Sequence, residues 1–474
     1  MRIHTAAVAA VAICLSGVMA ATVQADDGPT YQHDNRRSGV TAEKLRLPLH
    51  KLWEYVCPER PQTAWSGPAK WDAFAKISVL KSMRNFDPVF YTTTAQGCVF
   101  FGSSVDDAVH CLDLRTGAEK WACFTNGPIR VPPSVHDGRL YFGSDDGCVY
   151  CLRADDGALV WRYEVSPEAG KVPFNGKLIS LSPCRTGVLV QDGKAFFLAS
   201  LLPWERTYLC ALDAETGSVQ GTGLYRRAHE NMTAQGPIIA SPTRLYVSQG
   251  RQTPLIFDCA GGRVVQTVGG SGFGGVFGLL TEDSMFIHGY GQNHRSEGEL
   301  RFFGGEKTDL LVTFPHATSI VIRAGIVYVH ADGRLHAFDR DKYVVLQGRI
   351  DQLQELRKGL QKKRQKSPAN ATEADRKQWD DQFRSAGAEI AELEQAVPSC
   401  FLWRVPSDCP LTLILAGDTL LAGGLDKVAA YDRTSGRQLW TTPLEGGAYG
   451  LAVARSALLV STDLGRIVCF SAAD

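Results

Sequence analysis

The chain has 474 residues, 44% of them apolar and 21% charged, and its 50 Lys+Arg balance 50 Asp+Glu. This is an ordinary globular composition, and its neutrality excludes a general attraction to nucleic acid or an anionic membrane surface. At this length a closed array of repeats is a better expectation than one compact core.

At the N-terminus, Arg2 precedes an apolar run from Ala6 to Val18, too short to span a bilayer as a helix, and small residues follow in "VMA" (ending at Ala20) and "VQA" (ending at Ala25). This predicts a signal peptide over 1–25 and a periplasmic or secreted protein with no transmembrane segment. Cys14 follows Ile13 rather than a small residue, which argues against a lipid anchor. Residues 26–46 form an opening segment, and the repeats occupy 47–474.

One phrase recurs along the chain: "LDLRTGAEKW" (112–121), "LRADDGALVW" (152–161), "LDAETGSVQG" (212–221), "FDCAGGRVVQ" (257–266) and "YDRTSGRQLW" (431–440). Weaker copies stand at "FFGGEKTDLL" (302–311) and "FDRDKYVVL" (338–346). The spacing, roughly 35 to 60 residues, is that of propeller blades. Each unit reads as four short strands with alternating apolar residues, separated by turn residues. Glycine supplies the positive φ of a tight turn, and Asp or Thr side chains bond the nearby backbone. The Trp opens the outermost strand and covers the seam to the next blade. Asp113, Gly117, Trp121, Trp161, Asp213, Gly217, Asp432, Gly436 and Trp440 therefore read as structural residues of the repeat.

Seven turns are complete, and the chain ends at "FSAAD" (470–474), where an eighth should begin. The missing outer strand stands at the other end, in "LPLHKLWEYV" (47–56), with Trp53 in the anchor place. The expected fold is all-β: an eight-bladed β-propeller closed by pairing of the N- and C-terminal strands, with seven blades as the alternative.

Two insertions break the period. Residues 57–85 connect an outer strand to the next inner strand, which places them on the channel-mouth face, where Trp65 and Trp71 either lid the channel or cover a loose loop. Residues 343–398 read as a helical hairpin in blade six, with Leu346, Ile350, Leu353 and Leu360 on one stripe and Trp379, Phe383, Ile390 and Leu393 on the other. Thr372 is the expected cap of the second helix. Such a coiled-coil-like pair is either a solvated arm or a docking arm for a partner. It should project from the face opposite the mouth.

The turn pattern resembles the PQQ-like (pyrroloquinoline quinone-type) propeller repeat, most closely at Asp113, Thr116, Gly117 and Trp121, at Asp213, Thr216 and Gly217, and at Asp432, Gly436 and Trp440. The opening "YQHDNRRSGVT" and the first three blades are similar to exported PQQ-like repeat proteins of planctomycete-type bacteria. The resemblance implies the fold over roughly residues 31–474. It also implies two precedents for function. One is the propeller subunit of the outer-membrane barrel-assembly machinery, a non-catalytic scaffold. The other is the quinoprotein dehydrogenases, which carry adjacent cysteines, a Trp floor for PQQ and a Glu/Asn/Asp set for calcium. This chain has no Cys-Cys pair, and no such carboxylate set falls at matching blade positions.

Other chemistry reads weakly. Cys111, Cys151 and Cys469 share one repeat position with Ala211, Ile256, Ala337 and Ala430, which suits small buried apolar residues. "CVYC" (148–151) has redox spacing, but on a strand its two thiols point to opposite faces. No Cys/His spacing suits zinc or covalent haem. "GGSGFGG" (269–275) opens a strand, not a helix, and so makes a poor phosphate cradle.

Aligning the inner strands gives the ring position nearest the mouth: Val89, Arg130, Arg185, Gln235, Val276, Ala317, Pro410 and Ala448. Loops of the same face carry Asp106, Asp107, Asp145, Asp146, Glu205, Arg251, His294 and Arg295. Arginine forks suit carboxylates. Arg130, Arg185, Gln235 and Arg251 therefore either receive an anionic ligand or pair with the loop acids. The expectation is a monomeric, non-catalytic scaffold that binds an envelope protein or a small anion, with no metal and no catalytic residues. A PQQ- and calcium-dependent oxidoreductase is the alternative.

Overall fold

The computed structural model describes residues 27–65, 69–72, 77–80, 86–168, 170–250, 252–269, 274–291, 298–305, 308–365 and 371–473. Among these, eight antiparallel four-stranded sheets succeed one another: Thr92–Phe124, Ser134–Glu164, Leu189–His229, Ile239–Thr267, Phe277–Pro315, Ala317–Pro406, Thr412–Pro443, and Ala448–Ala472 joined by Leu49–Val56. They are numbered here as blades 1 to 8. An apolar cluster fills each of the eight seams between successive blades. The ring is closed between blades 8 and 1 by Trp53, Leu459, Ile467 and Cys469 against Phe90, Val99, Phe101 and Leu112.

The split blade forms as its sequence requires. Strand Leu49–Val56 pairs antiparallel with Arg466–Ala472, placing Trp53 opposite Cys469 and Tyr55 opposite Ile467. Alternation along the strands sorts side chains between seams: Cys148 lies in the seam between blades 1 and 2, and Cys151 in that between blades 2 and 3.

The repeated phrase is a lock between blades. Asp113 Oδ1 accepts from the Arg115 and Thr116 amides and the Thr116 hydroxyl, and Gly117 follows at φ +71. The same bonds recur at Asp213 and Asp432. Each turn glycine lies under the aromatic ring of the preceding blade: Gly117 under Trp53, Gly157 under Trp121, Gly217 under Trp161, Gly436 under Trp403. Trp440 meets no such turn, because the third and fourth strands of blade 8 come from opposite ends of the chain. Its Nε1 donates instead to the Leu49 carbonyl at 3.0 Å.

A Cβ on Gly217 would stand 2.6 Å from the Trp161 ring, in a backbone conformation that already disfavours L-residues. Gly217→Ala should therefore cost about 2–4 kcal/mol in urea unfolding. Combined with Trp161→Ala, the loss should fall short of the sum of the two single variants, because the clash is gone. Strict additivity would show that the ring does not constrain the turn.

Residues 27–46 do more than lead into the first strand. They cross the base of the ring, at the end of the inner strands that carries the first-to-second-strand turns. The amides of Thr94, Val135, Ala240 and Leu280 donate to Gly28, Pro29, Asn35 and Arg36, and Asn35 Nδ2 donates to Val190. Val40–Thr41 adds a parallel fifth strand to blade 7. Arg37 is buried there, donating to the Ile238 and Tyr31 carbonyls and to Thr30. Burial lowers its pKa to about 10. The strap thus satisfies inner-strand edges that would otherwise face an open channel.

The hairpin insertion is two helices, α1 (Arg340–Gln365) and α2 (Glu373–Ala396). Helix α1 begins directly after a blade 6 strand, so "FDRDKYVVL" is strand end and helix rather than a turn copy. Asp339 accepts the Lys342 amide there, and Arg340 pairs with Asp283 of blade 5 at 2.8 Å. Ile350, Leu353, Ala386 and Ile390 form the hairpin's own core, while Tyr343, Val344 and Leu346 pack into the seam between blades 5 and 6. Thr372 caps α2 in a reciprocal capping box with Asp375. Phe383 lies under the Arg357 and Arg364 guanidiniums.

Candidate functional site

The connections between successive blades, and those from second to third strands, meet on the face opposite the strap. Arg130, Arg185 and Gln235 precede the inner strands of blades 2, 3 and 4 on that face. All three are buried, Arg185 completely. Asp145, from the loop between second and third strands of blade 2, sits between the arginines. It accepts from Arg130 Nε at 2.7 Å and from Arg185 Nε and Nη2, both at 2.8 Å. Arg130 Nη1 also donates to Asp87 at 2.8 Å and to the Gln62 carbonyl at 2.6 Å.

Burial works against the charged form of each group. For Asp145 the two guanidiniums outweigh it and hold the carboxyl below its usual range. For Arg130 the two carboxylates outweigh it and raise the pKa. For Asp87 burial prevails and the pKa rises.

Two pieces of chain cover this network. The insertion after Val56 brings the Ala64 amide onto Asp87 and Trp65 Nε1 onto Gln235 Oε1 at 2.9 Å. A hairpin between blades 2 and 3, Lys171–Phe174 with Lys177–Ser180, brings Phe174 edge-on to Trp65, with centroids 5.7 Å apart. The Arg185 guanidinium lies 5.5 Å from the Trp65 ring and 5.2 Å from Phe174. Asn175 Nδ2 donates to Thr63, and Lys177 Nζ to Asp107 at 2.5 Å, pinning the hairpin to the insertion and to blade 1.

Arg130, Arg185, Gln235 and Asp145 thus lie together on the loop face, in a covered network whose arginines and carboxylates pair with one another. Two arginines buried at one channel end need carboxylates at contact distance, and Asp145 and Asp87 supply them. The remaining acids do not join. Asp106 bonds His110 Nε2 at 3.0 Å, Asp107 holds Lys177, and Asp146 accepts from Tyr150 Oη and the Cys148 amide. Glu205 lies apart, on the wall of an open groove with Trp204, Tyr208 and Glu230. Arg251, His294, Arg295 and residues 1–26 lie outside the described residues, and of Trp71 only the backbone strand is described.

Asp87 and the Lys171–Ser180 hairpin escape the repeat alignment. The hairpin had one sequence cue, Asn175-Gly176, a dipeptide suited to two positive-φ positions; both residues adopt them, at 48° and 76°.

Among the described residues, two donors in the network, Arg185 Nη1 and Gln235 Nε2, have no protein acceptor; both are buried beside Trp65. The same site does not suit a calcium–quinone pair. Its carboxylates, Asp87 and Asp145, are already engaged by guanidiniums, and no group of three His, Cys, Asp or Glu among the described residues could hold a metal.

His110 is a titrating joint on this face. It bridges Asp106 and Glu119 (2.9 Å) and stacks on Phe101. Burial lowers its pKa, but the two carboxylates outweigh that and raise it. Burial alone would raise Asp106; hydrogen bonds from His110 and Ser103 bring it to about 2. The folded chain therefore holds the His110 proton more tightly than the unfolded chain. Its contribution is complete below about pH 6.5 and is lost as pH rises through the raised value. Asp106 contributes above about pH 4 and is lost as pH falls toward 2. His110→Gln should flatten the loss of stability above about pH 6.5, read from urea midpoints across pH. An unchanged slope would exclude His110 as its source.

Eight such blades, with a covered axis and loop-bearing ends, define a repeat propeller of the PQQ-like class. The chain belongs to the family whose model is described as outer membrane protein assembly factor BamB, matched over residues 66–343 and 414–474. It is similar in fold to BamB from Moraxella catarrhalis, at 13% identity and TM-score 0.50, covering 90% of this chain and 100% of that one. It is similar also to quinohemoprotein alcohol dehydrogenases. That of Pseudomonas putida HK5 gives 12% identity and TM-score 0.57, covering 95% of this chain and 81% of that one. That of Comamonas testosteroni gives 11% and 0.57, with the same coverage. At these identities the likeness is one of fold. No helix among the described residues is long and apolar enough to cross a membrane.

Proposed function

We propose that the protein is a non-catalytic binding scaffold of the cell envelope, reached by a cleaved signal peptide, and that it works through surfaces outside its axial channel. The observation that supports this reading is the mouth network: Arg130, Arg185, Asp145 and Asp87 satisfy one another under Trp65 and Phe174. Among the described residues of the network, the donors left for a small anion are Arg185 Nη1 and Gln235 Nε2. The helical arm offers an outward surface, with Val345 and Leu356 exposed on α1, and a partner protein of the envelope is the proposed occupant.

Deleting 347–397 tests the arm. Tyr343, Val344 and Leu346 remain in their seam, so the ring should keep its unfolding midpoint within a few degrees while partner capture is lost; collapse of the ring would contradict the reading. A photo-crosslinker at Leu356, used in the native envelope, should give one discrete adduct. For the enzyme alternative, the purified chain is titrated with PQQ and calcium. Stoichiometric bound quinone with dye reduction by alcohols or sugars would overturn the scaffold reading.

A further inference from the structure

The loop face carries a second concavity, apart from the mouth network. It is an open groove of about 560 Å³, within the range of ligand sites, roughly 300–1,000 Å³. Glu168, which follows the outer strand of blade 2, stands on one side. Trp204, Glu205 and Arg206 come from the loop between the second and third strands of blade 3, and Glu230 and Asn231 follow its outer strand.

The indole of Trp204 is 75% exposed, more than any other large apolar residue described. The tryptophans of the repeat lie instead over turns and seams. An indole left in water is the informative kind of surface residue, because covering it releases hydration free energy. Nor is it carried on a loose tether. Leu201 is buried, the Ser200 amide donates to the Pro183 carbonyl at 3.0 Å, and the Glu205 amide closes a turn on Leu202. At the far end the Thr207 hydroxyl meets Ser200 Oγ and the Met232 carbonyl, both at 2.9 Å. Tyr208 is buried in the floor, with the Arg226 guanidinium 4.2 Å from its ring centroid and bonded in turn to Glu168 at 3.2 Å. A ligand would find this groove already formed, with little ordering left to do.

The polar groups beside the indole are uncommitted. Among the described residues, the side chains of Glu205, Arg206, Glu230 and Asn231 make no hydrogen bond and no ion pair. Elsewhere on this face Asp106, Asp107, Asp145 and Asp146 are all engaged. The combination matches one ligand chemistry. A sugar ring presents C–H groups on a face and hydroxyls around its rim. The indole covers the face, carboxylates accept from hydroxyls, and the Asn231 amide and Arg206 guanidinium donate to hydroxyl and ring oxygens. Two unpaired carboxylates disfavour an acidic sugar. The core of a protein interface is depleted in charge, whereas here charged side chains share the groove with the indole.

We propose that this groove binds a neutral oligosaccharide, one ring lying on Trp204 with its hydroxyls bonded to Glu205 and Glu230. The assignment stands apart from the helical arm and holds whether or not the arm captures a protein.

The test titrates the purified chain with maltohexaose, cellohexaose and chitohexaose, read by calorimetry and tryptophan fluorescence. At least one should bind saturably, with Kd between about 1 μM and 1 mM. Trp204→Ala should weaken that binding about tenfold, and Trp204→Phe, which keeps an aromatic face, should stay within about threefold of wild type. Glu230→Gln, which keeps the shape but weakens the acceptor, should also cost affinity. Trp204 and Glu230 are exposed, so the urea midpoints of these variants should match wild type. Undiminished binding by Trp204→Ala, or no saturable binding of any of the three hexamers to the folded chain, would overturn the proposal. So would an envelope protein whose capture depends on Trp204 and which no hexamer displaces, since the groove would then be a protein-docking surface.

Discussion

Removing residues 27–56 is expected to leave no soluble, cooperatively folding ring. The deletion takes the outer strand from blade 8 and exposes the whole Arg466–Ala472 edge to solvent. It also removes Leu49 and Trp53 from two seams. Losses of this kind run about 2–5 kcal/mol for a buried leucine and about 3–5 for a tryptophan. Their sum is comparable to the whole stability of many domains, about 5–15 kcal/mol. Trp53→Ala alone should cost about 3–5 kcal/mol in urea unfolding, since it loses both the cover over Gly117 and the 2.8 Å bond to the Leu114 carbonyl. Deleting only 27–46 should be milder, leaving a folded ring with faster amide exchange at Val135, Ala240 and Leu280. A monomeric, native-like circular dichroism spectrum from the 27–56 deletion would refute closure through this strand.

Asp145→Asn should be the most damaging single substitution on the loop face. One carboxylate receives three hydrogen bonds from two buried guanidiniums, so the amide leaves Arg185 without an anionic partner. Breaking a buried pair from one side costs about 3–5 kcal/mol. Equilibrium urea unfolding would measure it. Asp106→Asn, at a partly exposed acid, should cost far less. A small effect at Asp145, with Trp65 fluorescence changed, would mean that water enters the network and that the cover over the mouth opens readily.

The fold was legible because each blade repeats its own instructions. The Asp–Thr–Gly turn and the seam Trp stand at fixed separation, and Trp53 declared the missing strand of a blade that the C-terminal residues left incomplete. The network was half legible. Alignment finds Arg130, Arg185 and Gln235 because they occupy a ring position. Asp145 was one acid among several on that face, and no repeat pattern marks Asp87, Phe174 or the strap, which belong to segments that occur once. Whether two arginines await a ligand or hold an acid depends on which loop folds over them, and that is a long-range matter. At residues 340–346 the turn pattern misled, because a helix start and a strand turn both favour an acidic residue after the last apolar position.

The seat of the N-terminal strand has a kinetic corollary. Its partners lie some four hundred residues downstream: Trp440 bonds Leu49 across a separation of 391, and Arg466 bonds Glu54 across 412. During synthesis the Leu49–Val56 strand must wait, unpaired, until Arg466–Ala472 emerges. Blades 1 to 7 can meanwhile stack only as an open arc, each on its predecessor. Snapping the arc shut should then be the slow, concentration-sensitive step of refolding, because two arcs can exchange these strands as readily as one can accept its own.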